Sequence, residues 1–199
     1  MNRADVAELH YITAIDNLPS ILAIGIVSHH RAQAVVGHTS VADATVQARR
    51  RAVRIPAGRP LHDFANLYFN ARNPMLYVVC ARGRHERVCV LRVSATALDL
   101  PGVVVADRNA SSNYVRFSPP AAALPRMDGA MIYTQSWNHA DPVEKDRRTS
   151  LICAEVLVPD VLPSSYISGA YVSCPESRTA CAGLAPNLPT TVLPNLFFR

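Results

Sequence analysis

Residues 150–159 read SLICAEVLVP, and this stretch limits what the chain can fold into more than any other. Leu, Ile, Cys and Val surround a single glutamate. The run predicts a strand that is apolar on both faces, with Glu155 in its middle beside Leu151, Cys153 and Leu157 on one face. A carboxylate placed there is costly unless it is paired, kept neutral or used chemically. Two readings therefore stand side by side: the partner of a buried arginine (or an edge residue facing water), and a working carboxylate. The other four glutamates, Glu8, Glu86, Glu144 and Glu176, fall in terminal, hairpin-tip, charged and polar contexts and read as solvated.

A length of 199 residues is most simply one domain, 1–199, with a sizeable core. A hydrophobic share of 49% against 18% charged argues against disorder. The net charge of +5 makes the chain mildly basic, which permits a polyanionic partner without demanding one. No apolar run approaches a membrane span, and the amino terminus carries acids where a secretion signal would be apolar, so a cytoplasmic protein is expected. Five cysteines without CxxC spacing read as reduced and structural, with no metal expected. A Cys174–Cys181 loop disulfide is the alternative.

The pattern predicts an α+β fold of many short strands with a few helices and no regular βαβ alternation. ELHYIT reads as a strand and IDNLPSILAIG as a helix capped by Asp16 or Asn17 and stopped at Gly25. SVADATVQARRRAVRIP is helical in its first part, which places Arg50 and Arg54 on a different face from Arg49 and Arg51. RGRHER reads as a hairpin tip between VVC and VCVLRV.

Four further features can carry chemistry. One arginine of QARRRAVR can enter a cleft as a phosphate fork while the rest stay solvated. The strand–helix junction at HYIT offers donors to a ligand, or else simply packs Tyr11 in the core. The loop DRNASSNYVR can hydrogen-bond and stack on a base, or be merely solvated. His62 and Asp63 in LHDF would face opposite sides of a strand, which argues against a catalytic dyad. GxGxxG and P-loop signatures and a nucleophile elbow are absent from the sequence.

Together these pieces resemble the ADP-ribosyltransferases. Tyr11-Ile12-Thr13, Asn17, Ile21-Leu22 and Gly25 follow the spacing of that superfamily's first motif. More specifically, the chain is similar to the DarT family of DNA ADP-ribosyltransferase toxins. The segments HYITAIDNLPSIL, VQARRRA through LHDF, LYFNARNPMLYVV, ADRNASSNYVRF and HADP through AEVLVP carry that likeness over nearly the whole chain.

The resemblance implies a split β-sheet core and NAD as co-substrate, with Glu155 and Arg50 catalytic. It implies an NAD pocket formed by His10, Tyr11, Thr13, Asn17, Gly25 and Arg50, with Tyr68 and Met75 near the nicotinamide end. It implies contacts to single-stranded DNA from Arg49, Arg51, Arg54 and Arg72 and from Asn109, Ser111, Tyr114 and Arg116 in the loop. Thymine is the favoured acceptor, with guanine as the alternative. RNA or protein as acceptor, or a silent binding module, are the rival readings. A monomer opposed by an antitoxin of macrodomain or related ADP-ribosyl-hydrolase type is expected. One departure stands out: by spacing from Asn17, Tyr11 occupies the slot of the family's NAD-binding histidine.

Overall fold

The computed structural model describes residues 1–35, 37–41, 43–56 and 58–199. Its strands in chain order are β1 (Glu8–Ala14), β2 (Ile26–Val27), β3 (Phe64–Tyr68), β4 (Val88–Ser94), β5 (Val104–Ala106), β6 (Phe117–Ser118), β7 (Glu155–Pro159), β8 (Val161–Leu162), β9 (Ile167–Val172) and β10 (Thr190–Val192). The helices are α1 (Leu18–Ile24), α2 (His29–Val35), α3 (Ala44–Ala52), α4 (Pro74–Ala81), α5 (Pro120–Ala123), α6 (Gly129–Ile132), α7 (Pro142–Leu151) and α8 (Pro175–Leu184). Eight strands form one sheet in the order β10-β9-β4-β1-β3-β7-β5-β6, and β2 pairs with β8. This is the α+β architecture the sequence predicts.

The sheet is split at its centre. β1 pairs with β4 along its full length, from Glu8↔Ser94 to Ala14↔Val88, and β3 pairs fully with β7. Between β1 and β3 there is one register pair, His10↔Tyr68. The last four residues of β1 thus have no partner on the β3 side, and a wedge opens there.

Strand alternation explains what flanks the wedge. On one face, Leu9, Leu67, Leu91, Val93, Val156 and Val158 join a single apolar core that runs under both halves. On the other face the core is divided. Ile12, Tyr68, Val88 and Val90 pack with Leu76 and Val79 of α4, whereas Phe64, Ala106 and Leu157 pack with Ile55 and Leu61. The cleft lies between these two clusters.

Several local expectations are corrected. SLICAEVLV is not one strand. Ser150 and Leu151 end α7, a turn covers Ile152–Ala154, and the strand begins at Glu155. The strong start of α7 outweighs the β-like run: Asp141 accepts from the amides of Val143 and Glu144, Pro142 sits in the first turn, and Glu144 pairs with Arg147 and Arg148. RGRHER joins α4 to β4 and is no hairpin tip, because VVC belongs to α4. In the arginine-rich stretch the described helix is Ala44–Ala52, capped by Asp43, with Ala42 outside the described residues. Arg54 therefore lies beyond the helix and shares no face with Arg50. Glu8 is not simply solvated. It accepts from Arg92 Nε and Tyr171 Oη, each at 2.8 Å, and lies 3.2 Å from His10 Nε2.

Gly25 has φ +90°, and a Cβ there would sit 2.3 Å from the carbonyl oxygen of Leu162. Its lack of a side chain lets β2 reach β8. Gly25→Ala is expected to cost about 1–3 kcal/mol, read as a lower urea midpoint with unchanged m-value.

The hydrogen bond with His10, then those with Arg92 and Tyr171, hold the Glu8 carboxyl down to about 2 against the opposing effect of burial. Because the folded value lies below the unfolded one, this contribution is complete above about pH 4.5 and fades as pH falls toward 2. Glu8→Gln is expected to flatten the stability–pH curve in that window, measured by denaturant unfolding at each pH.

Candidate active site

The register of β7 sets Glu155 opposite Tyr68 on one side and Ala106 on the other. Its side chain has no exposed surface. Arg50, from the last turn of α3, meets it in a two-pronged pair: Nη1 to Oε1 and Nη2 to Oε2, both 2.9 Å. The backbone N–H of Ala110 donates to Oε1 at 2.9 Å. Of the two sequence readings of Glu155, the structure bears out the partner of a buried arginine; Arg50 lines a cleft, and Glu155 lies behind it, outside the lining. Burial alone would lower the affinity of Arg50 for its proton, but the Glu155 charge and hydrogen bonds raise it, so the guanidinium stays cationic.

The cleft has a volume of about 610 Å³ and fills the wedge between the half-sheets. Tyr11 and Thr13 line it from β1, Asn66 and Tyr68 from β3, and Met75 from α4. Arg49 and Arg50 reach it from α3, and Asn109 and Ser111 from the loop after β5. Asn17 also lines it, held by Nδ2 to Thr13 Oγ1 at 3.1 Å and to the carbonyl of Thr39 at 2.9 Å. It therefore braces the wall and does not cap α1 through its side chain. Tyr68 Oη donates to Met75 Sδ at 3.1 Å, and burial raises the phenol well above its ordinary range. Cys153 also lines the cleft, but burial pushes its thiol up to about 12, which makes it a poor nucleophile near neutral pH.

Other expected site residues lie elsewhere. His10 does not line the cleft, because its ring turns toward Glu8 and Tyr171. Gly25 borders only a small side recess behind Tyr11, Thr13 and Asn17. Arg54 is exposed and donates to the carbonyls of Arg51 and Val53. Arg72 is tied to the carbonyls of Gln135 and Asn195 and stacks over Phe198 at 4.1 Å, away from the cleft lining. Tyr114 and Arg116 are exposed and Arg51 lies on the outer face of α3, none of them in the lining.

The cleft also holds Ser112 of the loop already singled out, and residues the sequence did not single out: His29, Gln47, Asn66, Asp146 and Thr149. His62 was set aside as a strand residue, yet residues Leu61–Asp63 form a 3-10 turn that brings His62 to the cleft. Asp63 pairs instead with His30 Nδ1 at 2.7 Å. Pro60 just before the motif was the available signal for a turn there.

Among the described residues, no group of three or more His, Cys, Asp or Glu is placed to hold a metal ion, and no helix is long and apolar enough to cross a membrane. All five cysteines are free.

The split sheet thus carries a cleft lined by Arg50, with Glu155 buried directly behind that arginine. Comparison with known proteins makes the class specific. The family model described as ssDNA thymidine ADP-ribosyltransferase, DarT, matches residues 10–198. A DNA ADP-ribosyl transferase–DNA ADP-ribosyl glycohydrolase fusion protein of Thermosipho africanus is 32% identical over 96% of this chain, which spans 49% of that longer protein. A DNA ADP-ribosyl transferase of Thermus sp. strain 2.9 is 33% identical over 80% of this chain and 78% of its own. The solved structure of Thermus sp. 2.9 DarT with ADP-ribosylated ssDNA superposes with a TM-score of 0.84 at 26% identity, covering 96% of both chains. The chain belongs to the DarT family of ADP-ribosyltransferases.

Removing either member of the buried pair does not have equal consequences. Arg50→Ala leaves a sealed carboxylate with a single backbone donor and is expected to cost about 3–5 kcal/mol. Glu155→Ala leaves a guanidinium that borders the cleft and can be hydrated, so the loss is smaller. Urea unfolding of the two variants checks this order.

Proposed function

We propose that this chain transfers ADP-ribose from NAD to a base of single-stranded DNA, thymine being the acceptor that the family's description favours. The observation that carries the reading is the Arg50–Glu155 pair at the cleft, joined through Ala110 to the loop that follows β5. The cleft suits a dinucleotide in size and character: two arginines for a pyrophosphate, hydroxyl and amide groups for ribose, and an apolar end at Tyr68 and Met75.

Departure of nicotinamide leaves positive charge on the ribose as its bond to the incoming base forms. Glu155 is the anion that stabilises such charge, and Arg50 and the Ala110 amide fix its orientation. The carboxylate also accepts a hydrogen bond from a ribose hydroxyl, or the proton that the base's ring nitrogen loses. Arg50, drawn toward the phosphates, anchors the dinucleotide. Tyr11 Oη, for which the described residues provide no hydrogen bond, is the donor in the position of the family's histidine. Asn109 and Ser111 read the base, and an unpaired base reaches them without the cost of extrusion from a duplex. Arg49 and Arg51 meet the DNA backbone.

A single transferase domain over 1–199 and a cytoplasmic setting belong to the same proposal, as does a toxin role. The fused glycohydrolase of the Thermosipho relative supports a hydrolase-type antitoxin for this chain.

Glu155→Gln is expected to lower transfer to a thymine-containing oligonucleotide at least about 100-fold while the protein remains folded. Mass spectrometry of digested nucleosides reads both rate and acceptor. Undiminished transfer by that variant overturns the role of Glu155, and a mass gain on RNA or protein instead of DNA overturns the acceptor.

A further inference from the structure

Beside Arg50, three histidine rings collect at one end of the cleft. His29 and His62 lie 4.2 Å apart between ring centroids, and His30 is 5.4 Å from His62 and 6.4 Å from His29. His62 is 4% exposed, and its Nε2 has no hydrogen-bond partner among the described residues. Both His29 and His62 line the cleft, as do Arg49 and Arg50. A buried imidazole nitrogen left without a partner is unusual, because such groups are nearly always satisfied. This one sits where a ligand would lie.

The titratable and charged groups around the pair are mostly basic. α2 contributes His30, and the segment after it His38. α3 contributes Arg50 and Arg51, with Arg49 on the same cleft wall. Against these stand Asp63, engaged by His30, Asp146 across the cleft, and Glu155, engaged by Arg50. We propose that His29 and His62 form, with Arg50, a phosphate subsite that takes up a proton as the phosphate enters. The ligand chemistry is a phosphate group, met either as the pyrophosphate of the dinucleotide or as the phosphodiester of DNA. The inference rests on the proposed transferase function.

The free protein keeps this pair uncharged at neutral pH. Burial first, then the neighbouring His29 and Arg50, hold His62 down to about 4, and burial with His30 lowers His29. An incoming phosphate reverses the sign of the local field and favours the imidazolium. The proton comes from solvent, and no bond other than the N–H forms. Between the free and the bound pKa, the bound state holds more protons, so affinity rises as pH falls and levels off below about 4.

Titration calorimetry of the full chain with ADP-ribose, in two buffers of different ionisation enthalpy, tests this. At pH 5.5 the two heats are expected to differ by a proton uptake of more than about half a proton, and affinity should rise at least about threefold from pH 7.5 to 5.5, within the tenfold per pH unit that one proton permits. A second titration with a pentathymidylate oligonucleotide separates the sources, since the phosphate that triggers uptake belongs to the ligand showing it. His29→Gln, partly exposed and tolerant of change, is expected to reduce the uptake, and His139→Gln, exposed and outside the cleft lining, to leave it. ADP-ribose or oligonucleotide that binds equally tightly at both pH values with buffer-independent heat overturns the subsite. Absence of ADP-ribose binding at any pH would instead count against the transferase reading itself.

Discussion

Everything at the centre of this protein depends on how a fully buried glutamate side chain is given partners. Glu155 has no contact with solvent, so the three donors that meet it, two from Arg50 and one from Ala110, replace the water it has lost. Those donors come from a helix more than a hundred residues earlier and from the loop after β5, so forming the pair fixes α3 and the loop against β7 at once. The same geometry points an arginine into the cleft. Under the proposed function a stabilising contact and a site of chemistry are one object, so deletion of either side chain is expected to perturb fold and activity together.

The cleft itself follows from an interruption of regular structure. A continuous sheet would satisfy its own backbone groups and leave no room. One register pair between β1 and β3 keeps the halves attached while the remaining residues of β1 face a wedge. A common core under one face holds both halves, and the divided core on the other face leaves the gap between α4 and the end of α3 open. Position and width of the site are therefore consequences of where apolar side chains stop, not of any catalytic residue.

Much of this was legible beforehand. The α+β class and the strands around ELHYIT and LYF follow from apolar periodicity, one misfit charge singles out Glu155, and the choice of Arg50 among its neighbours comes from the family resemblance. Tyr11, Thr13, Asn17, Tyr68, Met75, Asn109 and Ser111 do share a cleft, as the family likeness implied. The failures have a common physical source, which is that local pattern does not know where an element ends. SLIC looks like a strand but is captured by a well-capped helix. VVC looks like one half of a hairpin but completes α4. His62 was assigned the alternation of a strand and lies in a 3-10 turn. Arg72 was expected to contact DNA, whereas two carbonyls and the ring of Phe198, which is more than a hundred residues away, hold it. No window of sequence contains such a contact.

The bond from Ala110 to Glu155 is made by main chain, and every residue but proline carries that donor. Exposed side chains nearby, such as Asn113 and Tyr114, are not part of that bond, whereas Asn109 holds the turn by accepting from the amide and hydroxyl of Ser111. If the loop reads the acceptor as proposed, recognition and catalysis ask different things of mutation: exposed positions of the loop are open to variation while the main-chain bond keeps the acid behind it seated.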